Sequence, residues 1–122
     1  MQGNKGDNLI VNLTLDFALQ IIRYTEKLEN NRKYVLARQL LKSGTSIGAN
    51  VREAQNAESS RDFIHKLKTA AKEADETIYW LTLCKFSYAH EVCNELTDAC
   101  LSIIKVLSKI ISTSKIKYRY HY

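Results

Sequence analysis

The sequence predicts an all-α protein, and three observations carry that prediction. The chain has 122 residues, a length that suits one domain with one hydrophobic core. It contains no proline and only four glycines, so residues that interrupt helices are scarce. Its apolar residues recur every three or four positions in four stretches, which is the spacing of amphipathic helices. Short breaks separate these stretches, and we therefore predict a single antiparallel up-down-up-down four-helix bundle over residues 1–122.

The first predicted helix follows a polar segment, residues 1–11, that we expect to be a flexible N-terminus. Asn12 or Thr14 suits its N-cap. A break at residues 29–33 ends it, and the second helix begins close to Tyr34. The apolar stripe of the first helix consists of Leu13, Phe17, Ile21, Tyr24 and Leu28, with Leu15, Leu19 and Ile22 beside it.

The third predicted helix begins at Ser59, whose hydroxyl can cap it while Asp62 completes a variant of the capping box. Asp62 and Lys66 are spaced for an ion pair on the helix surface. A short turn leads to the fourth helix, which weakens at residues 112–114. We expect residues 115–122 to form a basic and aromatic C-terminal tail.

Residues 38–54, RQLLKSGTSIGANVREA, combine helical ends with a centre rich in glycine and hydroxyl residues. A phosphate-binding loop is excluded, because only three residues separate Gly44 from Gly48, no lysine follows Gly48, and no strand precedes the segment. The apolar and small residues keep one helical register through the centre. We therefore predict a continuous helix in which the small residues let another backbone approach closely.

A polar stripe runs along this second helix beside the small residues. A solvated face would more often be rich in Glu and Lys, which are better helix formers, so we expect the stripe to contact another helix or another subunit. A bare solvated face is the alternative. Trp80 on the third helix is either an anchor of such a contact or part of the core. The predicted contact seam comprises Gln39, Ser43, Gly44, Ser46, Gly48, Asn50, Glu53 and Trp80.

Residues 39–81 resemble the signature of the four helix bundle protein family, best known from proteins encoded in intervening sequences of 23S rRNA genes. The resemblance rests on the run from Ser43 to Glu53, on the DFIHKL run at residues 62–67, and on the run that ends at Leu81. It covers the central third of the chain strongly and the outer helices by pattern only.

This resemblance implies an antiparallel four-helix bundle that assembles into a ring, typically a homopentamer. A similar bundle is the accessory protein of diversity-generating retroelements, which binds nucleic acid and a reverse transcriptase. The resemblance therefore implies RNA or DNA and a nucleic-acid enzyme as partners. For most members of the family the molecular function is unsettled.

The net charge of +5 arises entirely at the C-terminal end. Acidic and basic residues balance up to Asp98, and no acid follows it. In KIKYRYHY, residues 115–122, cations that can neutralise phosphates alternate with tyrosines that can stack on bases. A frayed terminus or a short edge strand is the alternative. The predicted nucleic-acid-binding residues are Lys105, Lys109, Lys115, Lys117, Tyr118, Arg119 and Tyr120, with a weaker patch of Arg38, Lys42 and Arg52.

No residue set indicates catalysis, a metal or a cofactor, so we expect a non-enzymatic protein. Di-iron bundles use two Glu-x-x-His motifs and two further glutamates, and only the DFIH run at residues 62–65 approaches one. His65 is expected on the helix surface. The acids at residues 73–76 lie within one turn of Lys68 and Lys72, which predicts an ordinary salt-bridged face.

The three cysteines, Cys84, Cys93 and Cys100, have no disulfide or metal-ligand spacing, and we expect them to be buried as small apolar residues. The polar start is unlike a signal peptide. No apolar run approaches the roughly 18 residues that a membrane span needs. We therefore expect a soluble, cytoplasmic protein without a membrane partner.

Two functional hypotheses follow from the sequence. The first is a homo-oligomeric bundle that binds RNA or DNA electrostatically, as an adaptor for a nucleic-acid enzyme. The second is a structural or protein-binding scaffold with no nucleic-acid role, in which the polar seam and Trp80 build subunit contacts.

Overall fold

The computed structural model of the protein describes the backbone of residues 5–120 and the side chains of residues 9–117. This part of the chain consists of four helices and contains no strand. The prediction of an all-α fold is confirmed. The helices are α1 (Lys5–Asn30), α2 (Tyr34–Gln55), α3 (Ser60–Tyr88) and α4 (Val92–Tyr120).

Each helix packs against its neighbours in the chain, and α1 also contacts α4, so the four helices close into a bundle. Contacts between α2 and α3 show their relative direction. The hydroxyls of Ser43 and Thr77 meet in the middle of both helices, whereas Glu53 near the end of α2 pairs with Lys66 near the start of α3. Positions therefore rise along α2 as they fall along α3, which fits the predicted up-down order.

The start of α1 differs from the prediction, because the helix begins at Lys5 and not at Asn12 or Thr14. Ile10 is fully buried and extends the core stripe toward the N-terminus. The Thr14 hydroxyl caps nothing; it donates to the Ile10 carbonyl 2.8 Å away inside the helix. The expectation of a flexible segment over residues 1–11 is therefore wrong for residues 5–11.

The end of α4 also differs, since the helix continues through residues 112–114 to Tyr120. Hydroxyl residues lower helix propensity by only a few tenths of a kcal/mol each. Ile110 and Ile111 pack against the core just before them and hold the helix in place. The side chains of Tyr118, Arg119 and Tyr120, and all of residues 121–122, lie outside the described residues.

The predicted cap of α3 is confirmed, whereas the predicted ion pair beside it is wrong. The Ser59 hydroxyl accepts a hydrogen bond from the Asp62 backbone N–H at 3.0 Å. The Asp62 carboxylate accepts from the Glu58 backbone N–H at 3.2 Å instead of pairing with Lys66. Lys66 reaches across to Glu53, 3.8 Å away on α2.

The core runs along the centre of the bundle and contains aliphatic residues from all four helices, with Phe17 as its largest fully buried side chain. Cys84, Cys93 and Cys100 are buried free thiols, as predicted. Among the described helices, none combines the length and the apolar character needed to cross a membrane.

Candidate nucleic-acid interface

The predicted cations of α4 are exposed over the part of the helix whose side chains are described. Lys105 and Lys109 lie one turn apart on the side opposite the buried Ile103 and Leu107. Lys115, six residues further on, is exposed as well. Lys117 is the last exposed cation that the structure describes, and the predicted contacts of Tyr118, Arg119 and Tyr120 lie beyond it.

The second predicted patch lies elsewhere on the molecule. Arg38, Lys42 and Arg52 are all exposed on α2. Helices α2 and α4 make no contact in the described bundle, because they occupy diagonal positions. The structure therefore separates this patch from the cations of α4.

A third group of basic side chains could not be recognised as a group from the sequence. Arg61, His65 and Lys68 of α3 line a cavity of about 250 Å³ together with Lys115 of α4, over the side chain of Ile64. The spacing of the three α3 residues, four and then three, marks one helical face and could have indicated them. The approach of Lys115 depends on how α3 and α4 pack, which the sequence does not reveal.

The cations of this cavity are not neutralised in the way the sequence predicts. Within residues 9–117 the one ion pair joins Lys66 to Glu53, so the predicted salt-bridged face around Lys68 and Lys72 does not form. The proximity of the Lys115 ammonium lowers the pKa of Lys68. Two ammonium groups thus face each other without an acid between them.

The small residues of α2 contact α1 of the same chain. A Cβ atom built on Gly44 would lie 2.9 Å from Cγ2 of Ile21, closer than real contacts allow. A Cβ atom on Gly48 would lie 3.4 Å from the carbonyl oxygen of Thr14, an ordinary contact distance. Gly44 therefore permits the close approach of α1 and α2, as the sequence predicts for a small residue at a helix contact.

The polar residues of the seam contact α3, bond within α2 or face the solvent. Ser43 is 2% exposed, and its hydroxyl lies 2.9 Å from that of Thr77 on α3. Ser46 and Asn50 are half-buried and donate to carbonyls of their own helix, at 2.6 and 2.9 Å. The remaining seam residues of α2, Gln39 and Glu53, are exposed.

Trp80 has features of both predicted roles. Its ring packs against the edge of the core and lies edge-on to Tyr79, with ring centroids 5.2 Å apart. The indole N–H is enclosed but has no hydrogen-bond partner within the described side chains. Nearby on the same helix, burial and then the neighbouring Glu76 raise the pKa of Glu73.

Helix α1 exposes an apolar stripe that was expected to flank the core. Leu15, Leu19 and Ile22 are 59%, 44% and 37% exposed, at spacings of four and three residues. The core takes the other stripe, which contains Phe17 and Ile21. An apolar row on the surface of a small helical bundle is a common feature of a protein contact.

Three hydrogen-bonding side chains meet where the last turns of α1 approach the first turn of α4. The Tyr24 hydroxyl lies 2.8 Å from Nδ1 of His90 and accepts a hydrogen bond from the Cys93 thiol at 3.2 Å. Burial and the two neighbouring thiols raise the pKa of Tyr24. The described residues contain no group of three or more His, Cys, Asp or Glu side chains placed to hold a metal ion.

The fold and these surfaces define a small all-α four-helix bundle with exposed cations on all four helices. The chain belongs to the family described as 23S rRNA-intervening sequence protein, whose sequence profile matches residues 6–110. This confirms the resemblance of residues 39–81 and extends it to all four helices.

A solved structure supports the same relationship. The chain is similar to a protein of unknown function from the S23 ribosomal protein family of Bacteroides thetaiotaomicron VPI-5482, with 42% identity and a TM-score of 0.85. The similarity covers 88% of this chain and 98% of that chain. Among curated proteins, none matches this chain.

Proposed function

We propose that this protein is a non-enzymatic, homo-oligomeric bundle that binds RNA or DNA electrostatically and acts as an adaptor for a nucleic-acid enzyme. The observation that carries the proposal is the acid-free second half of α4. No acid follows Asp98, while Lys105, Lys109, Lys115 and Lys117 are exposed along the helix.

Exposed lysines on a stretch of helix that carries no acid suit a phosphate backbone. Such contacts release condensed counterions from the nucleic acid, so they favour binding without reading the base sequence. The lysines of α4 span at least three turns, a length over which several backbone phosphates can be met. This arrangement supports binding by charge and shape more than by recognition of particular bases.

Oligomerisation would multiply this surface. The exposed stripe of Leu15, Leu19 and Ile22 is an apolar surface that a second copy of the chain can cover. In a homopentamer, the state implied by the family resemblance, five copies of α4 would bind one strand multivalently. Modest contacts from each copy would then sum to a useful affinity.

The proposal is tested by light scattering of the full-length protein combined with fluorescence anisotropy of labelled single- and double-stranded RNA and DNA. We expect a mass above that of the monomer, and an affinity that falls steeply between about 50 and about 200 mM salt. The variant Lys105→Gln/Lys109→Gln should bind more weakly and with a smaller salt dependence. Arg23→Gln/Lys27→Gln removes the same charge from α1 and should bind like the wild type. Absence of binding at low salt would refute the proposal.

The scaffold hypothesis is the second candidate. It is favoured by the exposed α1 stripe and by the indole N–H of Trp80, which has no hydrogen-bond partner among the described side chains. In that case the oligomer forms but binds no nucleic acid. Leu15→Gln/Leu19→Gln and Trp80→Ala are measured by light scattering. A lower mass for the first variant assigns the α1 stripe to the subunit contact. An unchanged mass for Trp80→Ala assigns Trp80 to the core.

A further inference from the structure

We propose that the cavity between α3 and α4 binds a phosphate group, with Arg61, His65, Lys68 and Lys115 as its hydrogen-bond donors. This inference deepens the proposed function and rests on it for one source of the phosphate, the backbone or terminus of RNA or DNA. Free inorganic phosphate is the other source of the same chemistry, and the experiment below distinguishes the two.

The four donors converge because of how the helices pack. Residues 61, 65 and 68 follow the spacing that places side chains on successive turns of one helical face. Helix α4 brings Lys115 to the same cavity from the other side, and Ile64 lines it between them. Since two packed helices carry the donors, their arrangement depends on the folded bundle and not on a terminal tail.

The charge of the cavity is unbalanced. Its lining residues include three cations, Arg61, Lys68 and Lys115, and no acid. Asp62, the adjacent acid on α3, is not among the lining residues, and its carboxylate accepts a hydrogen bond from the Glu58 backbone N–H. Like charges held close together repel each other, as the lowered pKa of Lys68 beside Lys115 indicates. A bound anion converts this repulsion into attraction.

The kinds of donors match a phosphate group. The Arg61 guanidinium is a planar fork that fits two phosphate oxygens, and the two ammonium groups act as point charges toward the others. The His65 ring adds one N–H donor. The cavity of about 250 Å³ opens to solvent, so it can accept a phosphate that is attached to a longer chain.

The experiment uses the full-length, isotope-labelled protein and follows its amide resonances by NMR. Inorganic phosphate is titrated at constant ionic strength against chloride. We expect the amides of residues 61, 65, 68 and 115 to shift together. Lys68→Gln/Lys115→Gln should weaken phosphate binding by about tenfold or more, because it removes two charge-assisted bonds. Arg23→Gln/Lys27→Gln, a variant with the same charge loss on the exposed face of α1, should bind phosphate like the wild type.

The same two variants are then measured with a labelled oligonucleotide across salt concentrations. Loss of about one unit of salt slope in Lys68→Gln/Lys115→Gln supports a nucleic-acid phosphate in the cavity. Phosphate shifts without any oligonucleotide binding support the site with free phosphate as its ligand and refute the proposed function. Oligonucleotide binding that is unaffected in Lys68→Gln/Lys115→Gln, together with scattered or absent phosphate shifts, overturns the site and leaves the proposed function standing.

Discussion

The α1–α2 contact at Gly44 and the α3–α4 end at Lys68 and Lys115 are built in opposite ways. At Gly44 the two helices approach so closely that no Cβ atom fits against Ile21. Between α3 and α4 the helices leave a cavity lined by cations that repel each other. Close apolar packing stabilises the first region. In the second region the repulsion between Lys68 and Lys115 lowers the stability and leaves a charged surface. This contrast places the closest helix contact and the cationic cavity in different helix pairs.

The largest expected effect is on the close contact. Gly44→Val places a branched side chain where even a Cβ atom would lie 2.9 Å from Ile21, a residue whose own branching leaves it little freedom to move. We expect the free energy of unfolding to fall by about 2–3 kcal/mol. Urea denaturation followed by circular dichroism measures it. Ala49→Val introduces the same side chain at an exposed position of α2 and should cost only a few tenths of a kcal/mol.

A wild-type stability for Gly44→Val would mean that α1 and α2 do not approach closely at this point. Gly44 would then be a neutral residue of an ordinary helix contact.

The second expected effect concerns the dry part of the α3–α4 contact. The Cys100 thiol lies 3.4 Å from the Ala74 carbonyl, and burial raises its pKa from 9.0 to about 12. Above pH 9 the unfolded chain loses this proton while the folded chain keeps it. The free energy of unfolding therefore falls with rising pH, by up to about 1.4 kcal/mol per pH unit for this group.

Denaturation in reducing buffer between pH 9 and pH 10.5 tests this sign. Cys100→Ala should lose less stability over the interval than the wild type, by about 2 kcal/mol. Ser102→Ala, on the exposed side of the same helix, should keep the wild-type dependence on pH. Equal slopes for wild type and Cys100→Ala would show that the thiol ionises as easily in the folded protein as in the unfolded one.

The third effect is smaller and opposite in sign. Gly48 is one turn from Gly44, but its Cβ position is 3.4 Å from Thr14, so an alanine fits without displacement. Gly48→Ala should raise the free energy of unfolding by about 0.5 kcal/mol, because alanine favours the helix and restricts the unfolded chain. The measured sign separates the two glycines, because a loss of stability in Gly48→Ala would mean that close packing needs glycine at both positions.

The sequence predicts the four helices well because periodicity reports a property of each helix alone. The sequence-based prediction fails where a helix carries two apolar stripes and only packing decides which of them is buried. Leu15 and Phe17 both lie on apolar stripes of α1, and only contact with α2 and α4 decides that Phe17 is buried and Leu15 exposed. Thr14 is a residue type that often caps helices, but here it lies inside α1. Ile10, four residues earlier, is buried in the core, and this burial stabilises the helix ahead of Thr14.

The candidate site shows the same limit. The exposed lysines of α4 could be predicted from charge counting, because acids are absent around them. The cavity could not, since it requires Lys115 to lie on a continuous helix beside Lys68, and residues 112–114 look like a helix end. The pairing of Lys66 with Glu53 likewise depends on the turn between α2 and α3.

The smallest expected effect is on the cationic cavity, and it tests whether Lys68 and Lys115 repel each other. Lys68→Gln removes one of two ammonium groups that repel each other, so it should raise the unfolding midpoint slightly at low salt. The gain should vanish at about 1 M salt, where the screening length falls to about 3 Å. Lys72→Gln, one turn along α3 and outside the cavity, should show no such gain. Because Lys68 and Lys115 repel each other, Lys68→Gln/Lys115→Gln should gain less than the two single variants together. Strictly additive gains would mean that the two ammonium groups do not interact. A bound anion would then have no repulsion between them to offset.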